Sequence, residues 1–93
     1  MNLRSLAKGQ PCQVRFIGIC NFDSDTTVPH HVRRGNVAGY GQKPPDLCSV
    51  FVCSACHTHC HGTGHTAWLP EHDRDLLAGL CRTLVIVSKE LGL

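Results

Sequence analysis

Seven cysteines and seven histidines in 93 residues constrain this chain more than any other feature. A chain of this length buries a limited share of its surface, so its apolar core alone is marginally stabilising. Domains of this size commonly carry a disulfide or metal staple. Only five residues are aromatic, so large apolar side chains do not make up the difference. The odd cysteine count speaks against a complete disulfide framework. Residues 1–9 carry Arg4 and Lys8 but no apolar leader core, and no apolar run reaches membrane-spanning length. The expectation is one domain over 1–93, with no membrane and a cytoplasmic location. There, cysteine pairs bind metal more often than they form disulfides.

The pattern along the chain predicts an α+β fold. Residues 2–8 suit a short helix with Leu3 and Leu6 inward and Gly9 ending it. Residues 12–17 alternate polar and apolar side chains and read as a strand. Residues 26–32 are β-branched and end on two histidines, with Pro29 placing the strand at an edge or bend. The glycines and prolines of 33–46 read as a long loop. Residues 47–52 form a third strand candidate, and 53–61 a short helix stopped by Gly62 and Gly64. Pro70, Glu71, Asp73 and Asp75 suit a helix start. Leu76, Leu80, Leu84, Val87 and Leu91 then predict its apolar face.

Four cysteines fall into two pairs. Cys53-Ser54-Ala55-Cys56 has the spacing by which two thiolates grip one tetrahedral zinc from a tight turn. Cys12 and Cys20 lie farther apart, but a four-cysteine site would tie the N-terminal strand to the start of the short helix. The same cysteines could be small buried residues or a disulfide pair. Cys48, Cys60 and Cys81 are left for packing.

The histidines form a second pattern. His57 and His61, at i and i+4, share a helical face and can bind one metal. His30 and His31 are adjacent on a strand and point to opposite sides, so only one of them suits that metal. His59 and His72 are expected to be exposed.

His30-His31-Val32, then Pro45-Asp46-Leu47, then Cys53-x-x-Cys56-His57-x-x-x-His61 resemble the HNH nucleases, also called His-Me finger or ββα-metal nucleases. Nearly the whole chain further resembles the small phage and prophage proteins of the YbcO type. That closer likeness rests on Cys12-Gln13-Val14-Arg15, Cys20-Asn21, His31-Val32-Arg33, 43–47, 53–57 and Arg82-Thr83. The resemblance implies a ββα-metal core with a four-cysteine zinc staple and a C-terminal helix. It implies that His31 is the general base and that His30, His57 and His61 hold a catalytic divalent metal, Mg2+, Mn2+, Ni2+ or Zn2+. The middle Asn of the family pattern falls on Asp46, which lacks the amide donor; Asp46 also reads as a simple turn residue.

The chemistry fits the residue types. Phosphodiester cleavage needs an activated water, and neutral imidazole can take its proton near pH 7. A divalent metal can bind a non-bridging oxygen and the leaving O3′. Arg33 or Arg34 could grip a phosphate or lie in a solvated loop, and His65 could be an outer phosphate contact. Net charge is only +2, yet residues 1–63 hold six Lys/Arg against three Asp/Glu, while 64–93 hold three against four. The Cys/His half is thus the basic half, as a phosphate-binding face requires. The expectation is a DNA endonuclease serving phage or prophage DNA processing or recombination, leaving 5′-phosphate and 3′-hydroxyl ends. The alternatives are a non-catalytic zinc module that binds nucleic acid or protein, and a disulfide-bearing regulator. The oligomeric state stays open, a homodimer included.

Overall fold

A computed structural model describes residues 2–32, 46–62 and 66–93 of the chain. The elements run in the order α1 (Leu3–Ala7), a 3-10 turn (Ser24–Thr26), β1 (Val28–His31), β2 (Ser49–Val52), α2 (Ser54–Cys60) and α3 (Pro70–Glu90). This is an α+β arrangement around a two-stranded antiparallel sheet. No helix among the described residues is long and apolar enough to cross a membrane. Most of the expected loop 33–46, with Arg33 and Arg34, lies outside the described residues, as does His65.

The short α1 forms because Asn2 caps it. Its Oδ1 accepts the Arg4 and Ser5 N–H groups at 3.0 and 3.3 Å, satisfying donors that a helix start leaves open. Leu3 and Ala7 are buried. The sheet register pairs Val28 with Val52, Pro29 with Phe51, His30 with Val50 and His31 with Ser49. All of β2 is buried. Its alternation divides the interior: Val50 and Val52 join Cys12, Val14, Phe16, Val32 and Leu76, while Phe51 meets Leu3, Ala7 and Val87.

The free edge of β2 explains two corrections. The expected strand over 12–17 does not form. Gln13 N–H donates to the Phe51 carbonyl at 2.8 Å, but the ladder stops there. The Gln13 carbonyl instead accepts Arg82 Nε and Nη2 at 3.0 and 2.6 Å, and Arg15 turns the chain with a left-handed φ of 51°. Phe51 N–H donates to Thr83 Oγ1 at 3.0 Å. Both Phe51 backbone groups thus point away from Pro29, so the missing proline N–H costs no ladder bond.

The second correction concerns α3. Its buried line is His72, Leu76, Gly79, Thr83 and Val87, whereas Leu84 and Leu91 of the expected apolar face are exposed. The helix lies so close to the sheet edge that a Cβ on Gly79 would sit 2.5 Å from Val14 Cγ1 and 3.1 Å from Val50 Cγ2. A small residue and a hydroxyl, not leucines, fit that contact. Cys81, expected in the core, is consequently exposed; Cys48 and Cys60 are half-buried.

Candidate metal centres

Two clusters of ligand atoms meet at α2. The first contains Cys12, Cys20, Cys53 and Cys56, whose sulfurs all lie within 4.8 Å of one another. Cys53 and Cys56 come from the turn that opens α2. Cys12 and Cys20 come from the irregular segment pinned by Phe51 and Arg82. All four are free thiols. Cys53 Sγ is 3.7 Å from Cys20 Sγ, close to the edge of roughly 3.8 Å that a tetrahedron with Zn–S bonds of about 2.3 Å would have.

Backbone N–H groups point at these sulfurs. Arg15 N–H reaches Cys12 at 3.5 Å, Phe22 N–H reaches Cys20 at 3.4 Å and Cys56 N–H reaches Cys53 at 3.4 Å. Arg15 and Phe22 have φ of 51° and 54°, so two non-glycine residues accept a left-handed backbone near these sulfurs. Such donors favour thiolates. The hydrogen bond from the Cys56 thiol, with help from backbone donors, pulls Cys12 down to about 4. Cys56 is pushed up by its bond to Cys12 and by burial, and burial pushes Cys20 up to about 11. One thiolate is easily formed and further ones are resisted. A cation at the centre is what would let all four ionise, so the donor set fits a thiophilic metal.

The second cluster is His30, His57 and His61, with ring nitrogens within 4.8 Å of one another. His30 shares a sheet face with its partner Val50, the face toward α2. Its ring centroid lies 5.3 Å from that of His57 and 5.2 Å from that of His61. His57 Nε2 and His61 Nε2 are 2.9 Å apart. Burial, then the adjacent His61, lowers the pKa of His57, which favours the neutral, ligating form. His61 is exposed, so this centre opens to solvent.

His31 projects the other way, as alternation along a strand requires. Its Nε2 lies 3.0 Å from Asp46 Oδ1, an ion pair whenever the ring is protonated. The sequence thus pointed to all of His30, His31, Asp46, His57 and His61, and the structure brings them into two neighbouring groups. Arg33 falls outside the described residues.

His59 and His72, expected at the surface, are buried. Their Nε2 and Nδ1 atoms are 2.8 Å apart. His72 Nδ1 also accepts the Leu69 N–H at 3.0 Å, so that nitrogen carries no proton and His59 donates to it. His59 stacks on Trp68 at 5.0 Å and meets Phe16 edge-on at 5.1 Å. Helix spacing carried the missed signal. His59 follows the inward Cys56 by three residues, and His72 precedes the inward Leu76 by four.

Comparison with known proteins adds the family. The model of the family described as "Putative nuclease YbcO" matches residues 1–92. The chain belongs to the YbcO family. It is 40% identical over 89 residues to "Putative nuclease YbcO" of Escherichia coli strain K12, covering 96% of this chain and 93% of that one. The protein of the same description from Enterobacteria phage 82 matches to the same extent. A solved structure, that of a "putative bacteriophage protein" from Escherichia coli K-12 MG1655, superposes with a TM-score of 0.76 at 36% identity. It covers 97% of this chain and 100% of the solved one. The YbcO likeness read from the sequence is therefore correct and spans essentially the whole chain.

Proposed function

We propose that this YbcO-family chain is a metal-dependent endonuclease of the HNH, ββα-metal type that hydrolyses DNA phosphodiester bonds. The observation that carries the proposal is the division of the histidine doublet. His30 joins His57 and His61, while His31 turns to the other side of the strand and meets Asp46. In-line displacement at phosphorus needs the attacking water and the leaving oxygen on opposite sides, and this arrangement supplies a group for each. The order β1, β2, α2 and the nuclease descriptions of the relatives support the same reading.

The roles follow from the atoms. Asp46 accepts the Nε2 proton of neutral His31, fixing the tautomer whose Nδ1 has a lone pair for the water proton. Asp46 thereby orients the base without the amide of the usual Asn. His30, His57 and His61 would hold a divalent metal, Mg2+, Mn2+, Ni2+ or Zn2+. Such an ion supplies charge stabilisation at a non-bridging oxygen and at the leaving O3′. Three protein ligands leave coordination positions for substrate, as catalytic centres require. Cys12, Cys20, Cys53 and Cys56 would hold a structural Zn2+ that fixes the start of α2, and so the direction of His57 and His61. Arg33 is proposed to grip a phosphate beside the base. The products would be 5′-phosphate and 3′-hydroxyl ends, in phage or prophage DNA processing.

The test is plasmid cleavage by zinc-loaded protein with and without added magnesium, manganese or nickel. Metal-dependent nicking that His31→Ala abolishes supports the proposal. Zinc-loaded protein that binds DNA yet cuts with none of these ions would make the chain a non-catalytic zinc module.

A further inference from the structure

The outer side of α3 has no role in the sites above. The helix rests on His72, Leu76, Gly79, Thr83 and Val87. At 100° per residue, the opposite side carries Arg74, Leu77, Ala78, Cys81, Leu84, Val85 and Ser88. Leu77 is 63% exposed, Val85 53% and Leu84 42%, and Cys81 is exposed between them. A continuous apolar stripe at the middle of a solvent-facing helix is the kind of surface that marks an interaction site. Its flanks are charged in an ordered way. Glu71 is exposed in the first turn and Lys89 in the last, both on the same side of the stripe.

We infer that this stripe docks on the same stripe of a second copy, the two α3 helices running antiparallel about a two-fold axis near Cys81. The register follows from spacing. Leu77 and Val85 lie four residues before and after Cys81, so the axis sets the apolar segments against each other and brings the two Cys81 side chains together. Leu84 of one copy then flanks Leu77 of the other. Glu71 and the second copy's Lys89 come to lie on the same flank of the pair. A parallel pairing about a two-fold along the helices would leave Glu71 and the second copy's Lys89 on opposite flanks and at opposite ends, so only the antiparallel pairing brings these charges together. The antiparallel pairing also sets each helix N-terminus beside the other's C-terminus, which the helix dipoles favour. The surface is isologous, the form a two-fold dimer requires. The apolar segment spans only about two turns, so the buried area falls at the small end of specific interfaces. The dimer is accordingly a reversible one of micromolar affinity or weaker.

Sedimentation equilibrium on the zinc-loaded full chain tests the pairing. Wild type should show a monomer–dimer equilibrium. Leu77→Glu and Val85→Glu should each shift it to monomer, with helix content and bound zinc unchanged. Glu71→Lys should weaken the dimer about tenfold, and Glu71→Lys combined with Lys89→Glu should restore it. Mild oxidation should link the dimer through Cys81, and Cys81→Ser should remove that link while leaving the reversible dimer intact. Monomeric wild type throughout the accessible concentration range would overturn the inference. A dimer indifferent to Leu77→Glu and Val85→Glu would place the contact on another face. A charge exchange that fails to restore association would overturn the antiparallel register.

Discussion

The cysteine and histidine clusters sit at the two ends of one short helix and differ in almost every physical respect. Cys53 and Cys56 are fully buried and Cys12 nearly so, and backbone N–H groups reach the sulfurs of Cys12, Cys20 and Cys53. Four ligands complete a tetrahedron and leave no place for substrate. His30, His57 and His61 offer three ligands, and His61 is exposed. A closed set of soft sulfur donors is suited to holding a fold together; an open set of imidazoles is suited to exchanging water for phosphate. Seven residues of helix carry both, so strain or disorder at the cysteine end must reach the histidine end. The reverse coupling is weaker, because the histidines hold nothing that α2 needs in order to fold.

The largest expected effect breaks that asymmetry from the cysteine side. Cys53→Ser or Cys56→Ser should release the metal and unfold the domain, since structural zinc sites hold on the order of 10–16 kcal/mol of binding energy that is also folding energy. Metal content and circular dichroism on the same samples measure it. His57→Ala or His61→Ala should leave zinc and fold in place while abolishing binding of a second ion. Retention of zinc and fold by both cysteine variants would remove the staple.

Next in size are the two members of the doublet. His31→Ala should lower cleavage by roughly 10²–10⁴-fold with metal content unchanged, the usual loss for a general base. His30→Ala should lose catalytic-metal affinity, and excess metal should partly restore its activity. Parallel metal titrations of both variants in the cleavage assay check this, and rescue of His31→Ala rather than His30→Ala would reverse the two roles.

How far the sequence announced these centres depends on where the information resides. Residues four apart on a helix and adjacent on a strand have fixed relative directions, so His57 with His61, and His30 against His31, were legible from spacing alone. The cysteine set was legible as residue types, but not its scaffold. The segment holding Cys12 looked like a strand because Cys12, Val14 and Phe16 alternate inward. Its backbone bonds were decided elsewhere, by Arg82 on the Gln13 carbonyl and by the left-handed turn at Arg15. The face of α3 was misjudged for a related reason. A search for leucines finds a face that shares Leu76 and Val87 with the buried line but turns toward Leu84 and Leu91, whereas Gly79 and Thr83 are buried because the β2 edge needs a close approach and a hydroxyl acceptor. His59 and His72 show that a polar side chain can sit inside when its partner is as buried as it is.

Those long-range contacts give a smaller test, directed at the cysteine end. Arg82→Ala removes both hydrogen bonds to the Gln13 carbonyl and loosens the segment that carries Cys12. It should cost about 1–3 kcal/mol in unfolding free energy and speed zinc loss to a chelator. Affinity for the second metal should fall less, because the loosening reaches His57 and His61 only through the shared helix α2. Chelator-release rates and urea melts of the zinc-loaded protein measure the two sides. Equal losses at both centres would mean that the Cys12 segment supports the whole domain rather than the staple.

The smallest expected effect is protonic, and it separates the centres without altering either. A metal can bind only deprotonated ligands, so each ligand that holds a proton before binding must release it. In the cysteine cluster Cys12 is already a thiolate at neutral pH, being drawn down to about 4, whereas Cys20 is pushed up to about 11 and Cys56 is raised as well. Zinc uptake at pH 7 must therefore expel a proton from each of those two at least, and this holds for an unfolded metal-free chain too, since a cysteine thiol there titrates at about 8.5. In the histidine cluster the shift has the opposite consequence. Burial and the adjacent His61 lower the pKa of His57, so its ring is neutral at pH 7 and binding expels no proton from it. Zinc affinity should thus fall steeply as the solution is acidified below neutrality. His57 itself should begin to weaken the histidine centre only once the pH drops through its lowered value. Calorimetric titration in buffers of different ionisation enthalpy reads the proton count directly, with zinc added to metal-free His57→Ala protein and manganese added to zinc-loaded wild type. Equal proton release at the two centres would contradict the opposed states of Cys20 and His57 on which the contrast between a closed staple and an open site partly rests.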